Sequence, residues 1–391
     1  MESKKILILS HKPPYPKVDG GCIAIAQLLE ALLEKKHQVT FLCIETKKHP
    51  STYPLENPLL RFKSIFVDTK IKILKACINL FKKESYILSR FKNSKFQKEL
   101  TGILNSEKFD TIILESLFTS SYLSTLKQLS SAKIIYRSHN IEYTIWENQR
   151  DNTGNFLIKK YLRQQARRLK KEEMKFWNEV ETIASISNSD SSHISKYCSA
   201  QVETVGLYIE DRHLANTVEN TKVDFFHIGA MDWLPNQEAM CWLLNEVWIE
   251  FNDQHSFAEL HIAGRSMPTN LFNKKVSGFY NHYEVVNAID FISNHTVMLV
   301  PLFSGSGLRV KIIEGMAMGK CIISTSLGAE GIPYTHKKNI LIADTKSEFI
   351  IAMELCYNNI DKVNNIGLEA KKCALEHFSK DKITNQLEGL I

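Results

Sequence analysis

The chain has 391 residues, 44% hydrophobic and 24% charged, and a formal net charge of +6 at pH 7. That length supports two domains with ample core, and the composition is that of an ordinary globular protein with no apolar run near the roughly 20 residues that span a bilayer. The eight cysteines include no CxxC pair and no Cys/His cluster with zinc spacing. No metal or cofactor is therefore expected, and buried, reduced thiols (Cys22, Cys43, Cys241, Cys321) in a cytoplasmic protein are.

Short apolar strands alternate with amphipathic helices, which is the pattern of parallel sheets covered on both faces. Strands are expected near 5–10, 38–44, 111–114, 133–136 and 182–186, then near 223–228, 259–263, 297–300, 321–324 and 340–343. Each set suffices for one doubly wound sheet. The polar stretch 208–221 separates them and reads as the linker. The run Ile6 to Leu9 is too short for a signal-peptide core and reads as the first strand.

After that strand, HKPPYPKVDGG leads into a long amphipathic helix, with Asp19 placed to cap it. Gly20 and Gly21 at its start would let backbone amides approach a phosphate. A plain helix start accounts for them equally well. Two basic clusters follow. Residues 61–98 hold eleven Lys and Arg against Asp68 and Glu84, and 159–175 hold eight against Glu172 and Glu173. With +6 overall, the remainder is net negative, so the positive charge is local. In 70–98 lysines interleave with Ile73, Leu74, Ile78, Phe81 and other apolar residues, which suits an interfacial helix on anionic lipid. A solvated basic face is the alternative for both clusters. No nucleic-acid motif accompanies the charge, so no nucleic-acid partner is expected.

Between the clusters, IIYRSHNIEY puts Arg137, His139, Asn140 and Glu142 at the end of a buried strand. A histidine there needs a partner, structural or functional. The second half opens with FFHIGAMDWLPNQEAM, where Gly229 ends a strand, Asn236 is placed to cap a helix and Trp233 reads as core packing. In HIAGRSMP, Arg265 stands at another strand end, facing either phosphates and base or solvent. Near Gly278, Phe279 and Tyr280 a base could be read by main-chain groups.

The richest segment is PLFSGSGLRVKIIEGMAMGKCIISTSLGAEG, residues 301–331. A strand runs into Ser304-Gly305-Ser306-Gly307, and a helix then opens with Arg309, Lys311 and Glu314. Glycine-loop amides, a helix N-terminus and two cations suit a diphosphate. A carboxylate so close suits a ribose diol. Neither GxxxxGK[ST] nor GxGxxG is present.

This segment resembles the donor-binding signature of the group 1 retaining glycosyltransferases with the GT-B fold. Of the two glutamates, separated by seven residues, that many members carry, Glu314 matches the second and Ser306 replaces the first. A subgroup with GSG-x-R-x-K is closer, matching at Gly305, Ser306, Gly307, Arg309 and Lys311. The resemblance implies an α/β protein of two Rossmann-like domains facing across a cleft. They would occupy 1–207 and 208–376, with 377–391 a helix crossing back to the first. The reaction it implies is retaining, metal-independent transfer from a nucleotide-diphosphate sugar to a glycan or lipid-linked acceptor, in cell-surface polysaccharide synthesis.

In that reading Arg309 and Lys311 replace a divalent cation and also the arginine and lysine that most members carry in the 229–236 loop. His139 meets a sugar hydroxyl through a neutral ring. Gly20, Gly21, Gly229, Asn236, Arg265, Ser306, Gly307, Leu308 and Glu314 line the donor. The basic segment 61–98 would make the protein peripheral on the inner face of the membrane. A nucleotide-sugar epimerase of the same fold and a catalytically silent binding subunit are the alternatives.

Overall fold

The computed structural model describes residues 2–52, 56–214, 221–268, 276–305 and 307–391. They fall into two compact units, one of residues 1–207 and 384–391, the other Tyr208–Ile383.

The first unit is built on seven parallel strands in the order β3-β2-β1-β4-β5-β6-β7. These are β1 (Lys5–Ser10), β2 (Gln38–Glu45), β3 (Leu60–Phe66), β4 (Thr111–Glu115), β5 (Lys133–Ser138), β6 (Thr182–Ser185) and β7 (Gln201–Thr204). The central strands are buried on both faces, as continuous apolar runs such as Ile6 to Leu9 and Ile112 to Leu114 require. Helix Gly20–Glu34 covers one face and is capped by the Asp19 carboxylate, which accepts from Cys22 N at 2.9 Å. The chain's last residues close this unit. Glu388 lies 2.9 Å from His37, Thr111 donates to the Ile391 carbonyl, and Lys133 donates to that of Leu390.

The second unit holds six parallel strands in the order β10-β9-β8-β11-β12-β13. These are β8 (Phe225–Ile228), β9 (Leu260–Ala263), β10 (Phe279–Tyr283), β11 (Val297–Val300), β12 (Cys321–Ser324) and β13 (Leu341–Ile342). Its core is one cluster that draws on residues from Ile209 to Phe378.

Several local expectations need correction. Strands β3, β7 and β10 were not anticipated. All three are edge strands with an exposed side, so they lack the apolar run that marks a central strand. The basic segment 70–98 is not one helix. It breaks into Ile73–Asn79, Tyr86–Ser89 and the start of Ser94–Ser106, the last two capped by Ser85 and Asn93. The final helix begins at Lys380 rather than 377, because Ile360–Phe378 runs through that position.

Candidate functional site

Each sheet reverses its strand order once, beside β1 and β4 in the first unit and beside β8 and β11 in the second. Loops at the strand C-termini next to such a reversal form the usual ligand crevice of open α/β sheets. The sequence motifs fall on these loops.

In the second unit β8 ends at Ile228 and leads into Gly229, while β11 ends at Val300 and leads into the 301–309 loop. Lys311, on helix Val310–Ala317, reaches back to the β8 end. Its Nζ donates to Asn236 Oδ1 at 3.0 Å and to His227 Nε2 at 3.2 Å. His227 is fully buried, and its Nδ1 lies 2.7 Å from the Leu299 carbonyl oxygen. A carbonyl only accepts, so Nδ1 carries the proton and Nε2 offers its lone pair to Lys311. Burial, reinforced by the charge of Arg309 and opposed by Glu314, pushes the Lys311 pKa down to about 7. A Cβ at position 229 would stand 2.7 Å from Lys311 Nζ and 2.8 Å from Asn236 Nδ2. Gly229 is thus the space the ammonium occupies.

Arg309 forms the N-cap of the same helix, which no side chain caps. Its side chain is 4% exposed, and Nη1 donates to the Gly307 carbonyl. Nε and Nη2 are buried with no hydrogen-bond partner among the described residues. Its guanidinium lies 5.4 Å from the Trp233 ring centroid, a cation–π distance. Trp233 also backs Gly305, whose φ of +97°, like the +85° of Gly307, bends the loop through a region open mainly to glycine. Burial lowers the Arg309 pKa only to about 10, so the group stays charged. A buried guanidinium with two idle donors is costly unless an anion meets it.

Glu314, one turn along, has Oε1 3.5 Å from His213 Nε2. Burial pushes its carboxyl up to about 7, with Arg212 pulling the other way. The remaining expected residues are placed as follows. Asn236 does not cap its helix, because Leu234–Trp242 starts earlier, with Trp233 at the N-cap and Pro235 in the first turn. Asn236 is instead buried, donating to the Ala230 carbonyl while it holds Lys311. Arg265 lies 3.5 Å from Asp232. Leu308 packs against the core. The Gly278 carbonyl accepts from Leu260 N at the start of β10. Ser306 lies outside the described residues.

In the first unit, Gly21 leaves room for Lys12, whose Nζ would lie 2.4 Å from a Cβ there. Lys12 pairs with Asp19 at 2.7 Å, and His49 binds the other Asp19 oxygen at 2.9 Å. Gly20 starts the helix beside them. His139 follows β5 and is buried, with Nε2 hydrogen-bonded to Glu115, a fully buried carboxylate at the end of β4. Arg137 Nη1 holds the second Glu115 oxygen at 3.2 Å. Burial alone would raise the Glu115 pKa, but Arg137 and His139 outweigh it. Burial lowers the His139 pKa against the pull of Glu115, so the ring is neutral near pH 7. Glu142, expected near this group, is pushed up to about 7 by burial. It opens a helix whose first amides bind the Glu173 carboxylate.

Sequence reasoning missed His227, Glu115, Lys12 and His213. The first two had a visible signal, a titratable residue interrupting or ending an otherwise apolar strand.

Residues 222–359 match the profile of the family Glycosyl transferases group 1. This segment is a group 1 glycosyl transferase domain. A curated relative, the uncharacterized 44.6 kDa protein in the cps region of Klebsiella pneumoniae, is 21% identical over 398 residues and covers 98% of both chains. Among solved structures, sucrose-phosphate synthase from Thermosynechococcus elongatus superposes with a TM-score of 0.73 at 14% identity, covering 99% of this chain and 98% of that one. HepE of Anabaena, solved with UDP and glucose, gives 0.67 at 10% identity over 99% and 98%. These likenesses show the fold, an α/β protein of the GT-B type. The 229–236 loop carries MDWLPN, and Lys311 brings its charge to that loop from helix Val310–Ala317.

Proposed function

We propose that the protein is a retaining, metal-independent glycosyltransferase using a nucleotide-diphosphate sugar. The observation that carries this reading is Arg309, a buried guanidinium with two unpartnered donors at an uncapped helix start, beside Lys311. Such a site suits a diphosphate. The cations and helix-end amides at Gly307 and Leu308 would stabilise the charge that grows on the leaving group, the role a divalent ion plays elsewhere. Glu314 would hold the ribose diol. Neutral His139, oriented by Glu115, would meet a sugar hydroxyl. The departing phosphate would assist deprotonation of the acceptor, as the resemblance implies. HepE was solved with UDP-glucose, which supports a nucleotide-sugar donor and makes uridine nucleotides the first probes.

The acceptor is a glycan or lipid-linked sugar of a cell-surface polysaccharide. Support comes from the cps-region relative and from the apolar, basic surface of the first unit. Phe81 is 93% exposed, Ile73 79%, Phe156 76% and Leu157 75%, among Lys70, Lys72, Lys75, Lys82, Lys83, Lys159 and Lys160. Arg168 joins the two basic clusters by donating to the Asn79 and Leu80 carbonyls, each at 2.8 Å. Exposed aromatic and aliphatic groups within a basic field suit the surface of an anionic bilayer. No helix among the described residues is long and apolar enough to cross a membrane.

The test is incubation with nucleotide sugars, in chelator, with and without lipid-linked acceptor, following nucleotide release and the anomeric configuration of the product. Acceptor-dependent release with retention supports the proposal. Acceptor-independent release would turn the reading to an epimerase, and absence of any turnover to a binding subunit.

A further inference from the structure

The second sheet also carries a cluster the donor site does not use. His261 lies in β9, His282 in β10, and His295 two residues before β11. One nitrogen from each ring lies within 4.8 Å of those of the other two. His261 Nδ1 and His282 Nε2 are 2.9 Å apart. Asp224, just before β8, accepts from His295 Nδ1, which leaves His295 Nε2 with its lone pair. Asp224 is itself fixed by Thr296 N at 2.7 Å. The other nitrogen of His261 faces carboxylates, 3.8 Å from both Asp224 and Glu259.

We propose that His261, His282 and His295 bind a divalent transition-metal ion of the zinc class, with Asp224 orienting His295. The donor set is three imidazoles, the ligand type that zinc, nickel and copper share, with a carboxylate behind one ring as metal-bound histidines commonly have. Tetrahedral zinc takes nitrogens at about 2.0–2.1 Å, which places ligand atoms about 3.3 Å apart. Rotation of the exposed His282 side chain would bring the cluster to that spacing. Nearby positive charge is already engaged. Lys320 donates to the Ser293 and His295 carbonyls, and Lys222 pairs with Glu259 at 2.7 Å. Asp224, hydrogen-bonded to His295 and not to a lysine, offsets the incoming cation. A second group with ligand-type atoms, Asp19, Cys22 and His49, differs because the Lys12 ammonium already neutralises Asp19.

The metal would staple β9, β10 and the entry to β11 through residues that hold none of Lys311, Arg309 or Glu314. Its role is therefore separate from donor chemistry, and chelation should lower stability without abolishing nucleotide binding.

Chelator-stripped protein lacking a polyhistidine tag is titrated with zinc alone and with cobalt(II) alone. Melting temperature, calorimetry and the visible cobalt spectrum are followed for wild type, His261→Ala, His282→Ala and, as control, His49→Ala. The expected result is one equivalent of zinc that raises the melting temperature, with intense tetrahedral-type cobalt absorption. Binding should weaken at least tenfold in both cluster variants and stay unchanged in His49→Ala. UDP affinity should be equal in wild type and His282→Ala. Zinc binding as tight as wild type in His282→Ala and His261→Ala, or no rise in melting temperature and no tetrahedral absorption, would overturn the proposal and leave the cluster as a stack of aromatic rings.

Discussion

Lys311 Nζ sits 3.2 Å from His227 Nε2, and the 2.7 Å hydrogen bond from His227 Nδ1 to the Leu299 carbonyl makes that nitrogen an acceptor. A fully buried histidine inside a strand thus aims a lysine that reaches the β8 loop. With Asn236 as second acceptor, the ammonium is held by two neutral groups rather than by a carboxylate. When protonated, its charge is not neutralised by a hydrogen-bonded carboxylate and is open to a ligand. Two ordinary structural groups therefore tune a cation for an anion.

The first prediction concerns pH. With the Lys311 pKa pushed down to about 7, a diphosphate must capture a proton to bind above that pH. Nucleoside-diphosphate affinity should fall by about tenfold per pH unit above pH 7, and calorimetry in buffers of different ionisation enthalpy should show proton uptake. Below pH 7 protonation of Glu314, also near 7, should weaken the ribose contact, giving an optimum near neutrality. The free protein carries the opposite signature. Between about 7 and the ordinary 10.5 only the unfolded chain keeps the Lys311 proton, so this group makes stability rise with pH. A flat affinity between pH 7 and about 9 would contradict the assignment.

Gly229→Ala should cost affinity without unfolding the protein. The added methyl would meet Lys311 Nζ and Asn236 Nδ2 inside 3 Å, and the flexible lysine is the group that must yield. Displacing a charge-assisted contact costs about 1.5–3 kcal/mol, so UDP binding should weaken by roughly tenfold or more. Circular dichroism and UDP calorimetry on the same sample check it.

Glu314→Ala should likewise weaken nucleotide binding by roughly tenfold through loss of the ribose contact, about 1.5 kcal/mol. The comparison of UDP with its 2′,3′-dideoxy analogue isolates that contact. In the variant the two ligands should bind alike. A dideoxy penalty that survives the substitution would remove Glu314 from the ribose.

Replacing Lys72, Lys75, Lys82 and Lys83 with glutamine should release the protein from anionic liposomes in flotation at low salt, with UDP affinity unchanged. Each basic residue near such a surface contributes about 1 kcal/mol, and the attraction fades over a Debye length. A wild-type protein that never floats would assign the surface to a soluble acceptor or to solvent.

Much of this architecture was legible in the sequence because parallel strands buried on both faces read as apolar runs. Ile112 to Leu114 and Val297 to Val300 are of that kind. Leu60–Phe66, Gln201–Thr204 and Phe279–Tyr283 escaped notice, since an edge strand alternates or shows mostly polar residues. At the site, glycines and cations stand out in a string of letters, which is why Gly229, Gly307, Arg309 and Lys311 were singled out. Their supports were not, because a support is defined by contact across the sheet. Glu115 holds His139 from 24 residues away and His227 holds Lys311 from 84. The three histidines lie on separate segments, so no local spacing marks them. Asn236 shows the converse error, a residue with the right chemistry for a cap placed inside the helix by Pro235.

The central claim is that Arg309 is a buried cation kept for a diphosphate, and Arg309→Met tests it most directly. The account predicts opposite effects in two measurements on one variant, made with chelator present. Methionine, of similar length, removes a buried guanidinium with two unpartnered nitrogens, so the melting temperature of the free protein should hold or rise. UDP affinity, by calorimetry, should drop at least tenfold while uridine binding changes little. A variant that binds UDP as tightly as wild type, or that loses stability and uridine binding together, would contradict it and make Arg309 a structural residue.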